Sequence, residues 1–262
     1  MNRTRAGRAM PTEADPILAT ELTKDEYARL AAESTFVLPV GILEEHGPHL
    51  PLGTDTFQVE AVVNEAAEAT DAVVLPTMNY GNCHSTQPFP GSISLPFDTV
   101  RTLAEEILRE LARHDVASVA IVSGHAGGGH MRALKQAGRD VLGDHPQMRI
   151  ALLSEWDVLF PLGGETLNGE TVPEADGHAG TMETARIRHL RPELVDDSPP
   201  GEHFPQEEGF ELASEPDEGM PKGYMGDPSR ATPELGEGLH DAAVEALKEL
   251  FDDLAPEGEP GL

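Results

Sequence analysis

Short, continuous apolar runs alternate along the chain with stretches whose apolar positions recur every three to four residues. TFVLPV (35–40), DAVVLPTM (71–78), VASVAIV (116–122) and RIALL (149–153) have strand length. Continuous apolar runs of this kind suit strands covered on both faces. Between them the spacing becomes helical. Val59, Val62, Val63 and Ala66 form one stripe, and Val100, Leu103, Ala104, Ile107, Leu108 and Leu111 form a stronger one across 98–114, with Asp98 as the expected N-cap. Further helices are expected over about 130–141, after a loop within 177–189, and over 242–254, where Val244, Leu247, Leu250, Phe251 and Leu254 lie on or near one face. Strand then helix, repeated, predicts an α/β fold: a three-layer α/β/α sandwich with a mostly parallel central sheet. In such sheets, ligands bind beyond the carboxyl ends of the strands.

The remaining segments set the expected organisation. Residues 1–15 are expected to be a disordered N-terminal segment, with Met10 as an alternative start. Residues 16–254 are read as one domain and 255–262 as a flexible tail. The Pro-, Gly- and acid-rich stretch 192–238 is expected to form long surface loops, and its acidic run 206–218 a solvated surface.

Charge then narrows the function classes. The 262 residues carry 47 Asp+Glu against 18 Lys+Arg, a formal net charge of −29. Nucleic-acid binding through phosphate neutralisation needs basic surface, and so does docking on an anionic membrane, so neither is expected. Only Lys24, Lys135, Lys222 and Lys248 are lysines; the other basic residues are arginines. High acid with few lysines suggests a surface built for concentrated salt, where self-repulsion is screened. The single cysteine, Cys83, excludes an internal disulfide and a Cys-rich zinc site, and is read as a packing residue. No apolar run approaches the roughly 20 residues of a membrane span, and no apolar stretch follows MNRTRAGRAM, so a cytoplasmic location is expected.

Ionisable residues collect in three places. GILEEHGPHLPLGTDT (41–56) puts Glu44, Glu45, His46, His49 and Asp55 just past a buried strand. Burying several carboxylates together is costly unless something compensates, and a divalent cation is the natural compensation. Glu44 and His46 are two apart, so on extended backbone they point the same way. Asp55 opens the next helix and can return its carboxylate to the same spot. SGHAGGGH (123–130) follows the strongest strand and offers His125 as a ligand. DGHAGTMETA (176–185) adds His178 and Glu183. Carboxylate oxygens with imidazole nitrogens suit Zn²⁺, Mn²⁺ or Fe²⁺. A carboxylate shared between two ions would make a two-metal hydrolytic site.

EEHGPHLPLGTD, SGHAGG and HAGTMET, in that order, resemble the creatininase (creatinine amidohydrolase) family. YGNCHSTQPFPGSISL (80–95) and MGDPSRATPELGE (225–237) agree, so the resemblance covers about residues 35 to 252. It implies a three-layer α/β/α fold, two divalent metal ions and frequent homo-oligomers, hexamers among them. On that resemblance Glu44, Asp55 and His125 hold one ion. His46, Asp55 and a second carboxylate hold the other, and His178 passes a proton to the leaving nitrogen. In creatininase the second carboxylate comes two residues after the histidine matching His125; here that position is Gly127, and Glu183 is the replacement. Gly128 stands for a common Asn, Glu45 for a common Gln, and Thr86 for a frequent His, with His84 nearby.

These departures move the expected substrate away from creatinine. Gly127, Gly128, His84 and Trp156 are the expected substrate-side residues, Trp156 with a core role as the alternative. Glu45 is expected to orient water or a ligand, and His49 to hold a ligand carboxylate. The expected activity is metal-dependent hydrolysis of a C–N bond in a small cyclic or linear amide. A formamide hydrolase or cofactor-precursor peptidase is the alternative within the family. A non-catalytic relative that binds metal or a metabolite is the alternative of another class. His114, His145, His189 and His240 are read as surface or capping residues.

Overall fold

The computed structural model describes residues 15–205 and 220–256. The acidic run 206–218 and the N-terminal residues 1–14 therefore lie outside the described residues, as do 257–262 of the expected tail.

The continuous apolar runs form a parallel sheet. Its strands are β1 (Ile17–Leu18), β2 (Thr35–Val40), β3 (Val73–Val74), β4 (Ser118–Ser123) and β5 (Arg149–Ser154), in the order β1-β3-β2-β4-β5. Period-two alternation assigns each strand residue to a layer. Phe36, Leu38 and Val40 of β2 face one core with Val119 and Ile121 of β4, while Val37, Ala120 and Val122 face the other. The first core is covered by α1 (Lys24–Ala31), α3 (Phe97–Arg113) and α4 (Gly128–Asp144). The second is covered by α2 (Thr54–Glu68), the short α5 (Trp156–Leu159), α6 (Thr181–Leu190) and α7 (Pro233–Leu254). The three-layer α/β/α expectation is met. A two-stranded antiparallel ribbon, β6 (Thr166–Leu167) with β7 (Glu170–Thr171), lies outside the sheet.

Several boundaries differ from the sequence reading. The strand expected over 71–78 shrinks to Val73–Val74, and Met78 rejoins the sheet only as a bridge to Val40. Pro76 between them has no N–H to give to a ladder. Asp98 sits in the first turn of α3 rather than capping it; Pro96 is the cap position. Leu103, assigned to the apolar stripe, is exposed. α1 was not anticipated, although Thr23 and Glu26 form a reciprocal capping box at its start.

The last helix begins nine residues before the expected Ala242. Thr232 caps it by accepting from the Leu235 N–H, and Pro233 opens it with φ already helical. Its first turns look polar because Gly236 faces α6: a Cβ there would collide with the Ala185 carbonyl. The glycine lets two helices approach closely, and that packing is invisible to an apolar count.

Sheet register sets up the site. Val40, Ser123 and Ser154 are aligned at the ends of β2, β4 and β5. The chain leaves all three at one edge, held level by Gly124 N–H to Val40 O (2.9 Å) and Glu155 N–H to Ser123 O (3.0 Å).

Candidate metal centre

Glu44 and His46 follow β2, Asp55 lies in the first turn of α2, His125 follows β4, and Glu183 lies in the first turn of α6. All five are buried, and they converge. His125 Nδ1 is 2.8 Å from Glu44 Oε2 and 3.5 Å from Asp55 Oδ2. His46 Nε2 is 3.2 Å from Asp55 Oδ1 and 3.8 Å from Glu183 Oε2. Two groups of donor atoms, each within 4.8 Å of one another, share Asp55: Glu44, Asp55 and His125, and His46, Asp55 and Glu183. Glu44, His46 and His178 form a third group of the same kind.

The residues fit divalent cations. Glu44 Oε2 and Asp55 Oδ2 are buried and close no hydrogen bond, although His125 Nδ1 stands 2.8 and 3.5 Å from them. Buried carboxylates need a counter-charge, which the neighbouring imidazoles supply only when protonated and a divalent cation among them would supply instead.

Neighbouring groups orient the donors. His46 Nδ1 lies 3.1 Å from the Glu44 carbonyl oxygen, which can only accept, so Nδ1 carries a proton and Nε2 faces the carboxylates. Thr86 donates its hydroxyl to Glu44 Oε1, leaving Oε2 directed at His125. Ser123 Oγ donates to the His125 carbonyl and receives the His125 N–H, which fixes the start of that loop. Ala179 N–H donates to Glu183 Oε2 across a tight turn in which Ala179 has φ 52°. Asp176 caps α6 through the Thr181 and Met182 N–H groups at 2.9 and 2.7 Å.

Electrostatics follow from this geometry. Burial disfavours a charged His46, but Asp55, Glu183 and Glu44 outweigh it and raise its pKa to about 10. His125 moves up for the same reason: burial opposes the charge, and Glu44 and Asp55 overcome it. For Asp55, burial is the largest influence and opposes ionisation, yet His46 and His125 hold it well below the usual carboxylate range. Glu183 moves up, burial dominating over His46 and His178. Asp176 rises to about 7, mainly through burial.

The other expected residues divide. His178 borders the cavity at the cluster; its Nε2 donates to the Glu45 carbonyl (2.8 Å) and its ring lies 4.3 Å from that of His46. Trp156, Gly127, Gly128 and His84 all line a cavity of about 680 Å³ that opens onto Glu44, Asp55, His125 and Glu183. Trp156 also belongs to the core, so its two readings coexist. Gly127 is required by close approach: a Cβ there would collide with the His125 ring. A side chain at 127 would therefore require the His125 ring to shift.

Three placements correct the sequence reading. Glu45 is absent from the cavity wall; its carboxylate accepts the Gly47 N–H at 2.8 Å and lies 3.6 Å from His178 Nε2. His49 meets no ligand carboxylate; its Nε2 bonds Thr184 Oγ1 at 2.9 Å. His240 is buried and pairs with Glu65 at 2.8 Å. Thr86 and Asp176 were not assigned roles from sequence, nor were Gln58, Glu155 and Arg186, which form a buried polar cluster behind the site. Spacing alone could have flagged Gln58 and Arg186, each three residues after an expected ligand on a helix.

A parallel α/β sheet with clustered carboxylates and imidazoles at its carboxyl edge defines a metal-hydrolase class of architecture. Residues 20–251 match the family model described as creatinine amidohydrolase. The chain is 29% identical over 267 residues to creatinine amidohydrolase of Pseudomonas putida, covering 92% of this chain and 98% of that one. It is 32% identical over 223 residues to the mycofactocin precursor peptide peptidase of Mycolicibacterium smegmatis (strain ATCC 700084 / mc(2)155), covering 77% of each. A solved structure described as Creatininase Mn superposes with a TM-score of 0.78 at 25% identity, covering 92% of this chain and all of that one. The chain belongs to the creatininase family of amidohydrolases. Among the described residues, no helix is long and apolar enough to cross a membrane.

Proposed function

We propose that the chain is a two-metal amidohydrolase whose ligands are Glu44, Asp55 and His125 for one ion and His46, Asp55 and Glu183 for the other. One observation carries this reading: two donor groups share the single buried carboxylate Asp55, one of whose oxygens has no hydrogen-bond donor. When bound, two divalent ions of the zinc, manganese or iron kind supply a water acidic enough to attack at neutral pH and positive charge for the developing oxyanion.

The chain's own residues do the rest. Glu44 is held by Thr86, and His46 by the Glu44 carbonyl, so both present a fixed atom to the centre. His178 Nε2 is committed to the Glu45 carbonyl, which leaves Nδ1 as the nitrogen that exchanges a proton with the leaving amine. Burial opposes charge on His178, but Glu44 and Glu45 overcome it, so the imidazole is protonated more readily than usual. Glu45 is thereby a positioning residue for His178. Trp156 and His84 wall the substrate side, and Gly127 and Gly128 leave it open.

Within this activity, cleavage of a peptide-like amide is the second reading. The 32% identity to a peptidase favours it, together with the lack of a side chain at Gly127. A screen of lactams, formamides and short peptides with Zn²⁺, Mn²⁺ and Fe²⁺ at high salt tests both. Hydrolysis that needs metal and disappears in Asp55→Ala is the expected result. Metal-free protein unaffected by chelator would overturn the enzyme reading in favour of a binding module.

A further inference from the structure

The metal-centre cavity is not isolated. A second groove, of about 1010 Å³, runs between α4 and the edge strand β5, and shares the walls Ala126, Gly128, Arg132, Trp156 and Phe160 with it. Its base is apolar, formed in part by Ile150 and Leu152 of β5.

The rim of this groove carries cations that have no ion-pair partner among the described residues. Arg132, Lys135 and Arg139 all line it and are exposed. Their spacing places them on one face of α4. None closes an ion pair among the described residues. By contrast Arg101, Arg109 and Arg113 of α3 are all paired, Arg101 with Asp140 and Arg109 with Asp144 of α4. The acids of α4 thus turn toward α3, while its three cations turn to the groove. Carboxylates are not scarce in a chain with 47 of them, so three adjacent unpaired cations stand out. Among the described residues Asp157 is the only acid lining the groove, and its Oδ2 accepts from Ser154 N–H and Oγ–H at 2.8 and 3.1 Å. Among the described residues Arg132 is also the only lysine or arginine lining the metal-centre cavity.

We propose that this groove is a subsite for an anionic group of the substrate, a carboxylate or a phosphate, received by the Arg132 guanidinium with Lys135 and Arg139 behind it. The inference rests on the hydrolase reading above and names its substrate class: amides that carry a negative charge away from the bond that breaks. A net charge of −29 repels anionic ligands at long range, so one that binds needs local cations. A guanidinium offers paired donors that match both carboxylate and phosphate oxygens.

Trp156 is the only tryptophan of the chain and walls both cavities, so its fluorescence reports ligand binding without turnover. The test titrates Zn²⁺-loaded protein with three matched amides: N-acetyl-serinamide, N-acetyl-aspartic acid 1-amide and N-acetyl-phosphoserinamide. Either charged ligand should bind at least ten times more tightly than the neutral one, and whichever binds tighter identifies carboxylate or phosphate as the natural group. Arg132→Ala should reduce that preference to within about twofold, and Lys135→Ala/Arg139→Ala should reduce it in part. Equal affinities, no binding by any ligand, or a preference that survives in Arg132→Ala overturns the proposal. Hydrolysis is assayed separately. A charge preference in protein that stays metal-free and hydrolyses no amide of the metal-supplemented screen above sinks the hydrolase reading and leaves the subsite standing, whereas turnover without a charge preference does the reverse.

Discussion

Arg186 and Glu155 form an ion pair buried entirely from solvent. Arg186 stands one helical turn beyond Glu183 on α6, and its guanidinium also donates to Oε1 of Gln58 at 2.5 Å, one turn beyond Asp55 on α2. Each helix that delivers a carboxylate to the metal centre thus delivers a second polar residue behind it, and those two are joined. Asp55 and Glu183 are close enough to Glu155 for their charges to act on it: burial first, then these two carboxylates, raises its pKa against the pull of Arg186.

Removing the cation alone should therefore be severe. Arg186→Met strands a buried carboxylate beside two others, and losing one partner of a buried pair costs about 3–5 kcal/mol. Urea denaturation at fixed salt should show that loss. Adding Glu155→Gln to the same chain should recover part of it. Additive losses in the double variant would mean that the two side chains do not act as a pair.

Asp55 and Glu183 should differ in how much metal they govern. Asp55 belongs to both donor groups and Glu183 to one. Wild-type protein is expected to hold about two equivalents of transition metal per chain, the stoichiometry of a two-metal site. Asp55→Ala should lose both and Glu183→Gln one, read by elemental analysis after dialysis. Equal retention in the two variants would contradict a shared ligand.

The strands and most helices were legible because apolar periodicity is a local property, and β2, β4 and β5 each have a continuous apolar interior. The candidate donor cluster was legible because each of its residues lies in a short motif directly after a strand or at a helix start. What escaped depends on contacts between distant segments. Thr86 reaches Glu44 across 42 positions, and Arg186 reaches Gln58 across 128. The start of α7 was hidden by Gly236, whose lack of a side chain is what permits the contact with Ala185. Glu45 and His49 were correctly placed near the centre by their motif, but spacing could not say which way each side chain turns.

Metal binding should expel protons. In the metal-free chain His46 has a pKa of about 10 and His125 lies well above its ordinary value, so both are charged at neutral pH. A metal ligand must be neutral imidazole. Zinc titration near pH 7.5, by calorimetry in buffers of different ionisation enthalpy, should show release of about two protons per chain. No release would mean that these imidazoles are not ligands.

The same histidines and their neighbours set opposite pH limits on the metal-free fold. His46 is raised, so its stabilising contribution is complete below its unfolded value of about 6.5 and is lost as pH rises through about 10. His49 and His130 are lowered, chiefly by burial, to about 4 and about 3. Their contribution is complete above 6.5 and is lost as pH falls through those values. Metal-free protein should lose stability on both sides of neutrality. Replacing His130 by Phe should flatten the acid limb, as followed by thermal melts from pH 4 to 7.

Thr86 fixes the oxygen of Glu44 that points away from His125. Thr86→Val keeps the shape and removes the donor, and loss of such an outer partner typically weakens metal affinity about 10- to 100-fold. Competition against a zinc chelator should show that drop, with Thr86→Ser close to wild type. If Val and Ser behave alike, the hydroxyl has no part in holding Glu44.

Salt should stabilise this protein, through its surface rather than its site. Ion pairs such as Arg113–Glu110, with both side chains 60% exposed, contribute little and weaken as salt is added. The repulsion among the excess of 29 negative charges weakens as well, and it opposes the compact state. Raising salt from about 0.1 M to about 1 M shortens the Debye length from about 10 Å to about 3 Å. A few exposed pairs stand against a large uncompensated charge, so relief of repulsion dominates and the melting temperature should climb across that range. Full stability in low salt, unchanged by added NaCl, would sink the reading of this surface as one adapted to concentrated salt.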